Sequence, residues 1–401
     1  MNGFIAFMEK YFIPYAAKIG GQRHLVAIRD GFITTMPLMI LGSFAVLINN
    51  FPIPAYQKFM NNLFGEGTWQ AFGGNVWNGT FAILALLIAF TVAYNLAKSY
   101  DKDPLSSAVV SVATFFTIGA IAPGADGVAN TGGLGSTGLF LALIIAILST
   151  EIFTRLSGSP KLIINMPDGV PPAVSRSFAA LFPAMITVSI FGLITAFFQA
   201  AGVTNLVISF YELVQEPFMQ TINIPAIEAN VKALEAGKEL PYIVNKPFFD
   251  SFVNLGGTGA TIGLIIAIFI VARKHKAYMT VSKLSAAPGI FNINEPMMFG
   301  LPIVLNPIMF IPYILAPLVL VTVAYFATAI GWVPACTIVT PWTTPPIIGG
   351  ALATQSIAGG VLAAVNLGLS ILIFLPFAKI AQIQELRREK EALAAEGVTA
   401  E

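Results

Sequence analysis

The chain has 401 residues, of which 56% are hydrophobic and only 10% charged. Soluble domains carry roughly 25% charged residues, so this composition excludes one and reads as an all-α polytopic membrane protein. A net charge of +1 with no basic stripe argues against nucleic acid as a partner. The single cysteine, Cys336, excludes an internal disulfide and a thiolate-rich metal site, and no metal or cofactor is expected.

Residues 1–30 carry Lys10, Lys18, Arg23, His24 and Arg29 among apolar residues, with no cleavable-signal pattern. They read as an amphipathic segment on the membrane surface, and their positive charge ahead of the first span places them on the cytoplasmic side. Uncharged runs at 31–57, 67–97, 104–125, 127–150, 177–211 and 251–272 each reach the about 20 residues that a spanning helix needs. The first span is expected over 31–48, kinked at Pro37, with an outer loop over 49–78 behind it. Spans over 80–95, 104–121, 138–154 and 177–199 follow. Lys98, Lys102, Arg155, Lys161 and Arg176 fall in alternate loops, which keeps those loops inside.

The middle of the chain is less regular. An apolar stretch over 203–219 is interrupted by Glu212, Glu216 and Pro217, and residues 227–238 form a short polar helix stopped at Gly237. A span over 252–272 opens on the glycine-rich run 256–259 and ends on Arg273, Lys274, His275 and Lys276. Between Leu284 and Ala378 the only Asp, Glu, Lys, Arg or His is Glu295. Pro288, Gly289, Pro296, Gly300 and Pro302 surround it and argue against a plain helix. Irregular backbone at membrane depth is tolerated only where protein or a water-filled cavity satisfies it. Residues 284–305 therefore read as a re-entrant loop presenting Asn292, Asn294 and Glu295 to something polar. A span over 307–330, a loop over 331–354, a last span over 358–378 and a charged tail complete about eight transmembrane helices plus one re-entrant hairpin, with both termini inside.

Four stretches carry a resemblance: KIGGQRHLVAIRDGF at 18–32, MPDGVPPAVSRSF at 166–178, KPFFDSFVNLGGTGAT at 246–261 and PGIFNINEPMMFGLPIVLNP at 288–307. The chain resembles enzyme IIC, the membrane-spanning sugar permease subunit of the bacterial phosphoenolpyruvate-dependent phosphotransferase system, lactose/cellobiose type. The cellobiose and diacetylchitobiose branch looks closer. The resemblance implies a homodimer in the bacterial plasma membrane with the enzyme IIC glucose-superfamily fold. It implies binding and translocation of a β-linked disaccharide that a phosphocysteine on a soluble IIB protein, working with IIA, then phosphorylates. This subunit would be the non-catalytic, translocating part of that complex. The implied division is 1–30 amphipathic segment, 31–200 dimerisation domain, 201–250 linker with amphipathic helices, 251–380 sugar-binding domain and 381–401 cytoplasmic tail. Glu295 matches the glutamate of the family's Asn-Glu-Pro motif, which implies sugar contact and help in removing the hydroxyl proton. One departure stands out. Relatives carry a hydrophobic segment ending in a GIHG-type motif after the region matching Met219 and Gln220. Here Gln220 runs directly into TINIP at 221–225, so one hairpin segment is missing.

Each candidate has a plainer reading. Glu295 is either a sugar ligand or a structural cap. Asn292 and Asn294 suit hydroxyl recognition, or they cap the re-entrant turn. Lys246 and Asp250 make a sugar contact or an interfacial ion pair. Thr258, beside Gly257, lies next to a cavity; a phosphate cradle fits poorly, with no preceding strand and no Gly-Lys-Ser/Thr ending. Trp342 stacks on a sugar ring or sits in an interfacial belt. Arg176 is a positive-inside anchor or a IIB docking residue. Two further functions stay open: a transport-deficient, shortened partner of a full-length IIC, and a proton-coupled sugar transporter.

Overall fold

The structure is a computed structural model that describes residues 18, 20–51, 54–123, 129–164, 171–215, 224–301, 303 and 306–395. Residues 1–17 and 19 of the amphipathic segment expected over 1–30, and the stretch around Gln220, lie outside these residues; from Arg23 onward that segment is instead part of a helix of membrane-spanning length.

The N-terminal helices are α1 (Arg23–Asn49), α2 (Pro54–Phe64), α3 (Gln70–Asn78), α4 (Leu84–Lys98), α5 (Pro104–Thr117) and α6 (Leu139–Leu156). Then come α7 (Pro172–Ala179), α8 (Leu181–Ala200), α9 (Leu206–Phe210), α10 (Ile224–Glu235), α11 (Lys246–Phe252) and α12 (Thr261–Val271). The chain ends with α13 (Lys276–Ile290), α14 (Glu295–Gly300), α15 (Pro307–Ala329), α16 (Pro346–Thr354) and α17 (Ile357–Ala395). The one ladder among the described residues pairs β1 (Ala122–Pro123) with β2 (Ala129–Asn130). Among the described residues, six helical segments are long and apolar enough to cross a membrane, and α5 and α12 are shorter apolar helices. The all-α membrane architecture read from composition is what the chain adopts.

Several helices begin with one device. Asp103, Asn245 and Asn306 each accept from a backbone N–H of the first turn, and Pro104, Pro247 and Pro307 follow them. A short polar side chain satisfies an orphan donor there, and proline has no N–H to leave unsatisfied.

Boundaries read from the sequence shift in several places, beginning with the first span, which starts at Arg23 and not at 31. The outer loop over 49–78 contains α2 and α3, because Phe59, Met60, Leu63 and Phe64 recur at helical spacing. The span over 252–272 is broken, and only α12 is helical after the glycine-rich run. Helix α13 runs through Pro288 and Gly289 before the re-entrant turn. The loop over 331–354 ends in α16. The last span and the tail are one helix, α17, of 39 residues, or about 58 Å at 1.5 Å per residue.

The chain divides into two compact units. One comprises Gly21–Gly42 and Phe72–Phe218. Its core lies among α4, α5, α6 and α8, where Ala85, Ala89, Phe115, Ala142, Ile145 and Phe191 are buried. Small residues let helix backbones approach closely without lipid between them. This unit also buries a carboxylate that hydropathy reading passes over. Glu151 on α6 is 8% exposed. It accepts from His24 Nε2 at 2.8 Å, from the Tyr100 hydroxyl, and from the Arg155 guanidinium at 2.7 Å. Gln22 Nε2 lies 2.6 Å from His24 Nδ1, so Nδ1 accepts and Nε2 carries the hydrogen. The Arg23 guanidinium sits 4.1 Å over the Tyr100 ring. The bond to Glu151, helped by burial, holds the Tyr100 hydroxyl above the ordinary phenol range.

The other unit comprises Met1–Gly20, Ser43–Ala71 and Met219–Glu401. Its core packs α12, α14, α15 and α17 through Leu264, Ile268, Met297, Met309, Leu320 and Phe374. A second cluster joins Phe248, Phe252, Ala324, Cys336, Ala353 and Leu362. Polar residues of α17 reach backbone carbonyls of the broken span and of α15. Asn366 donates to the Phe252 carbonyl at 2.8 Å and the Leu320 carbonyl at 3.1 Å. Ser370 donates to the Ala260 carbonyl at 3.1 Å. An apolar α17 would remove these cross-links between the broken span and α15.

Candidate functional site

Three irregular segments of the second unit converge. They are the glycine-rich loop between α11 and α12, the turn between α13 and α14, and the loop ahead of α16. Asn292 joins all three. Its backbone adopts φ +61°, a left-handed conformation that asparagine tolerates better than most residues. Its Oδ1 accepts from the Gly256 N–H at 2.8 Å. Its Nδ2 donates to the Trp342 carbonyl at 2.8 Å and the Thr344 carbonyl at 3.0 Å. Asn294 Nδ2 donates to the Thr258 carbonyl at 2.8 Å. The fit leaves no room at Gly257, where φ is +95°. A Cβ there meets Asn294 Cγ at 2.6 Å and the Asn292 carbonyl oxygen at 2.9 Å.

These segments line an open cavity of about 180 Å³, formed by Asp250, Thr258, Asn292, Asn294 and Trp342, together with Asn254 and Gly257. Five residues singled out from the sequence thus share one space. Lys246 is not in the lining; it pairs with Asp250 one turn along α11, as the plainer reading anticipated. Among the described residues, that pairing balances the charge of the one carboxylate in the lining. The Asp250 side chain keeps 19% of its surface exposed. Glu295 opens α14, but its side chain lies outside what the structure describes. Asn254 was missed because a lone asparagine beside a span carries no periodic signal. Its neighbour Gly257 packs closely against Asn294 and the Asn292 carbonyl. Asn245, whose Asn-X-Pro pattern matches that of Asn294, is a buried cap instead, bonded to the Phe248 N–H at 3.0 Å and the Cys336 carbonyl at 3.2 Å. Arg176, in the first unit, lines a separate cavity of about 190 Å³ with Asp101, Lys102 and Asp103.

The family model described as "Phosphotransferase system, EIIC" matches residues 29–216 and 212–317. The chain belongs to the phosphotransferase-system EIIC family. Among the relatives of this EIIC, the lichenan permease IIC component of Bacillus subtilis (strain 168) is 39% identical, over 98% of this chain and 96% of its own length. The cellobiose-specific EIIC component of Geobacillus stearothermophilus is 37% identical, over 97% of each. A crystal structure of the transporter ChbC, the IIC component from the N,N'-diacetylchitobiose-specific phosphotransferase system, matches at 37% identity and a TM-score of 0.58. That match covers 96% of this chain and 99% of the other.

The same comparisons bear on the missing segment. The lichenan permease alignment extends over 439 positions yet uses 98% of this 401-residue EIIC, so about 46 positions of the relative have no counterpart. The two family matches meet at residues 212–216, a few positions ahead of Gln220.

Proposed function

We propose that this EIIC binds and translocates a β-linked disaccharide of the cellobiose or chitobiose kind and presents it to a cytoplasmic IIB protein for phosphorylation. The observation that carries this reading is the polar cavity in which Asp250, Asn254, Asn294 and Trp342 meet beside the turn leading into Glu295. Carbohydrate recognition needs both features it has: amide and carboxylate groups for hydroxyls, and an aromatic face for the apolar side of the ring. Thr258 completes the rim, and the ion pair with Lys246 orients Asp250. Glu295 accepts hydrogen bonds from the sugar and assists removal of the proton from the hydroxyl that takes the phosphoryl group. The phosphoryl group comes from IIB, recharged by IIA, and this subunit holds and moves the acceptor. The protein works as a homodimer in the bacterial plasma membrane with both termini cytoplasmic. Its similarity to a cellobiose-specific EIIC component and to the IIC component of an N,N'-diacetylchitobiose-specific system supports the substrate class.

Calorimetry on detergent-purified protein tests the reading. Cellobiose or N,N'-diacetylchitobiose should bind, and Glu295→Gln should abolish binding while leaving the size-exclusion profile unchanged. Equal affinity in the variant refutes the role of Glu295, and absence of binding to the parent refutes the substrate class.

The positions lacking near residues 212–216 favour a second reading, in which the chain is a transport-deficient partner of a full-length EIIC. Accumulation of sugar phosphate in cells that contain IIA, IIB and no other EIIC excludes it.

A further inference from the structure

Ser43–Ala71 belongs to the compact unit that holds the cavity, although the chain on both sides of it belongs to the other unit. The segment is closed on itself by side chains. Asn49 Nδ2 donates to the Gln70 carbonyl at 2.8 Å, and Trp69 Nε1 donates to Asn61 Oδ1 at 2.7 Å. Gln57 Nε2 donates to the Asn49 carbonyl at 3.3 Å and the Phe51 carbonyl at 3.2 Å. These bonds hold the backbone from which the Phe51 ring projects. The rings of the segment then form a chain. Trp69, 8% exposed, meets Tyr56 edge-on with centroids 5.8 Å apart. Tyr56 meets Phe51 edge-on at 5.1 Å. Phe51 meets Phe291 at 5.3 Å, tilted by 46°. Aromatic pairs at such separations attract beyond the area they bury.

Phe291 is the first residue past α13, and Asn292 and Asn294 follow it. The turn itself is irregular, closed by the Asn292 and Ile293 N–H groups on the Gly289 and Pro288 carbonyls at 3.2 and 3.1 Å. On the cavity side, the Asn292 amide ties it to the glycine-rich loop and to the loop ahead of α16. The Phe291 ring ties it to a segment that supplies no residue to the cavity lining. A displacement of about 1 Å in a binding group is enough to weaken the contact it makes.

We propose that Phe51 is a positioning residue for the sugar site. Through Phe291 it sets where the turn carries Asn294 and the opening of α14, and it tunes sugar affinity without touching the ligand. This rests on the sugar-binding reading above and adds a determinant outside the cavity.

The test is a double-mutant cycle on the purified full-length protein, read by calorimetry with cellobiose. Phe51→Ala should weaken binding by about three- to tenfold, the worth of one aromatic contact. Phe291→Ala should weaken it at least as much, and the double variant should bind within twofold of Phe291→Ala alone. Phe51→Tyr, which keeps the ring, should bind within twofold of the parent. If Phe51→Ala does not give a monodisperse protein, Phe51→Leu removes the ring while keeping bulk and takes its place in the cycle. A folded ring-less variant that binds like the parent overturns the proposal and leaves the permease reading standing. A double variant whose loss is the product of the two single losses does the same. No cellobiose binding by the parent overturns both.

Discussion

Asn292 carries a prediction that separates a clamp from a sugar ligand. Changing it to alanine removes three hydrogen bonds and leaves the Gly256 N–H and the Trp342 and Thr344 carbonyls without their partner. The residue is 8% exposed. A buried polar group left unsatisfied costs about 1–3 kcal/mol. The cavity alongside admits water, so the lower end applies, or about 3 kcal/mol for the three groups. Alanine at φ +61° adds roughly 1 kcal/mol of backbone strain. At about 2 °C per kcal/mol for a unit of this size, the apparent melting temperature should fall by about 8 °C. The assay is thermal unfolding in detergent followed by tryptophan fluorescence. Asn292→Gly relieves the strain but not the lost bonds, and should melt about 2 °C above the alanine variant. An alanine variant that melts with the parent yet binds no sugar refutes the clamp and makes Asn292 a direct ligand.

Glu151→Ala leaves the His24 Nε2–H and the Tyr100 hydroxyl without their acceptor. It should lower the apparent melting temperature by several degrees, with Glu151→Gln intermediate; melting like the parent would show that the network holds nothing together. Cys336 is fully buried, and burial pushes its thiol up to about 12. The folded pKa lies above the unfolded one, so the thiol's contribution to stability is intact below about pH 9 and is lost as pH rises towards 12. Folded protein should resist maleimide at pH 8 and react only on denaturation; prompt labelling of the native form would contradict its burial.

The sequence by itself determined the membrane class and the family, and it named five residues that line one cavity. Uncharged runs long enough to cross a bilayer have few alternatives, because water penalises their exposure and lipid demands that backbone bonds close within each segment. The prolines and glycines around Glu295 marked a break for the same reason. The tertiary structure decided which polar residue does what. Asn292 and Asn294 are two positions apart and chemically identical, yet one is spent holding loops 36 and 52 residues distant while the other keeps an acceptor free. Glu151 reads as an interruption near the end of an apolar run until His24, 127 positions earlier, is brought to it. Helix periodicity is a local property with a reach of about one turn. Partners this far apart in the chain are chosen by how its backbone folds, and only the folded arrangement shows which polar groups are already satisfied and which remain for a ligand.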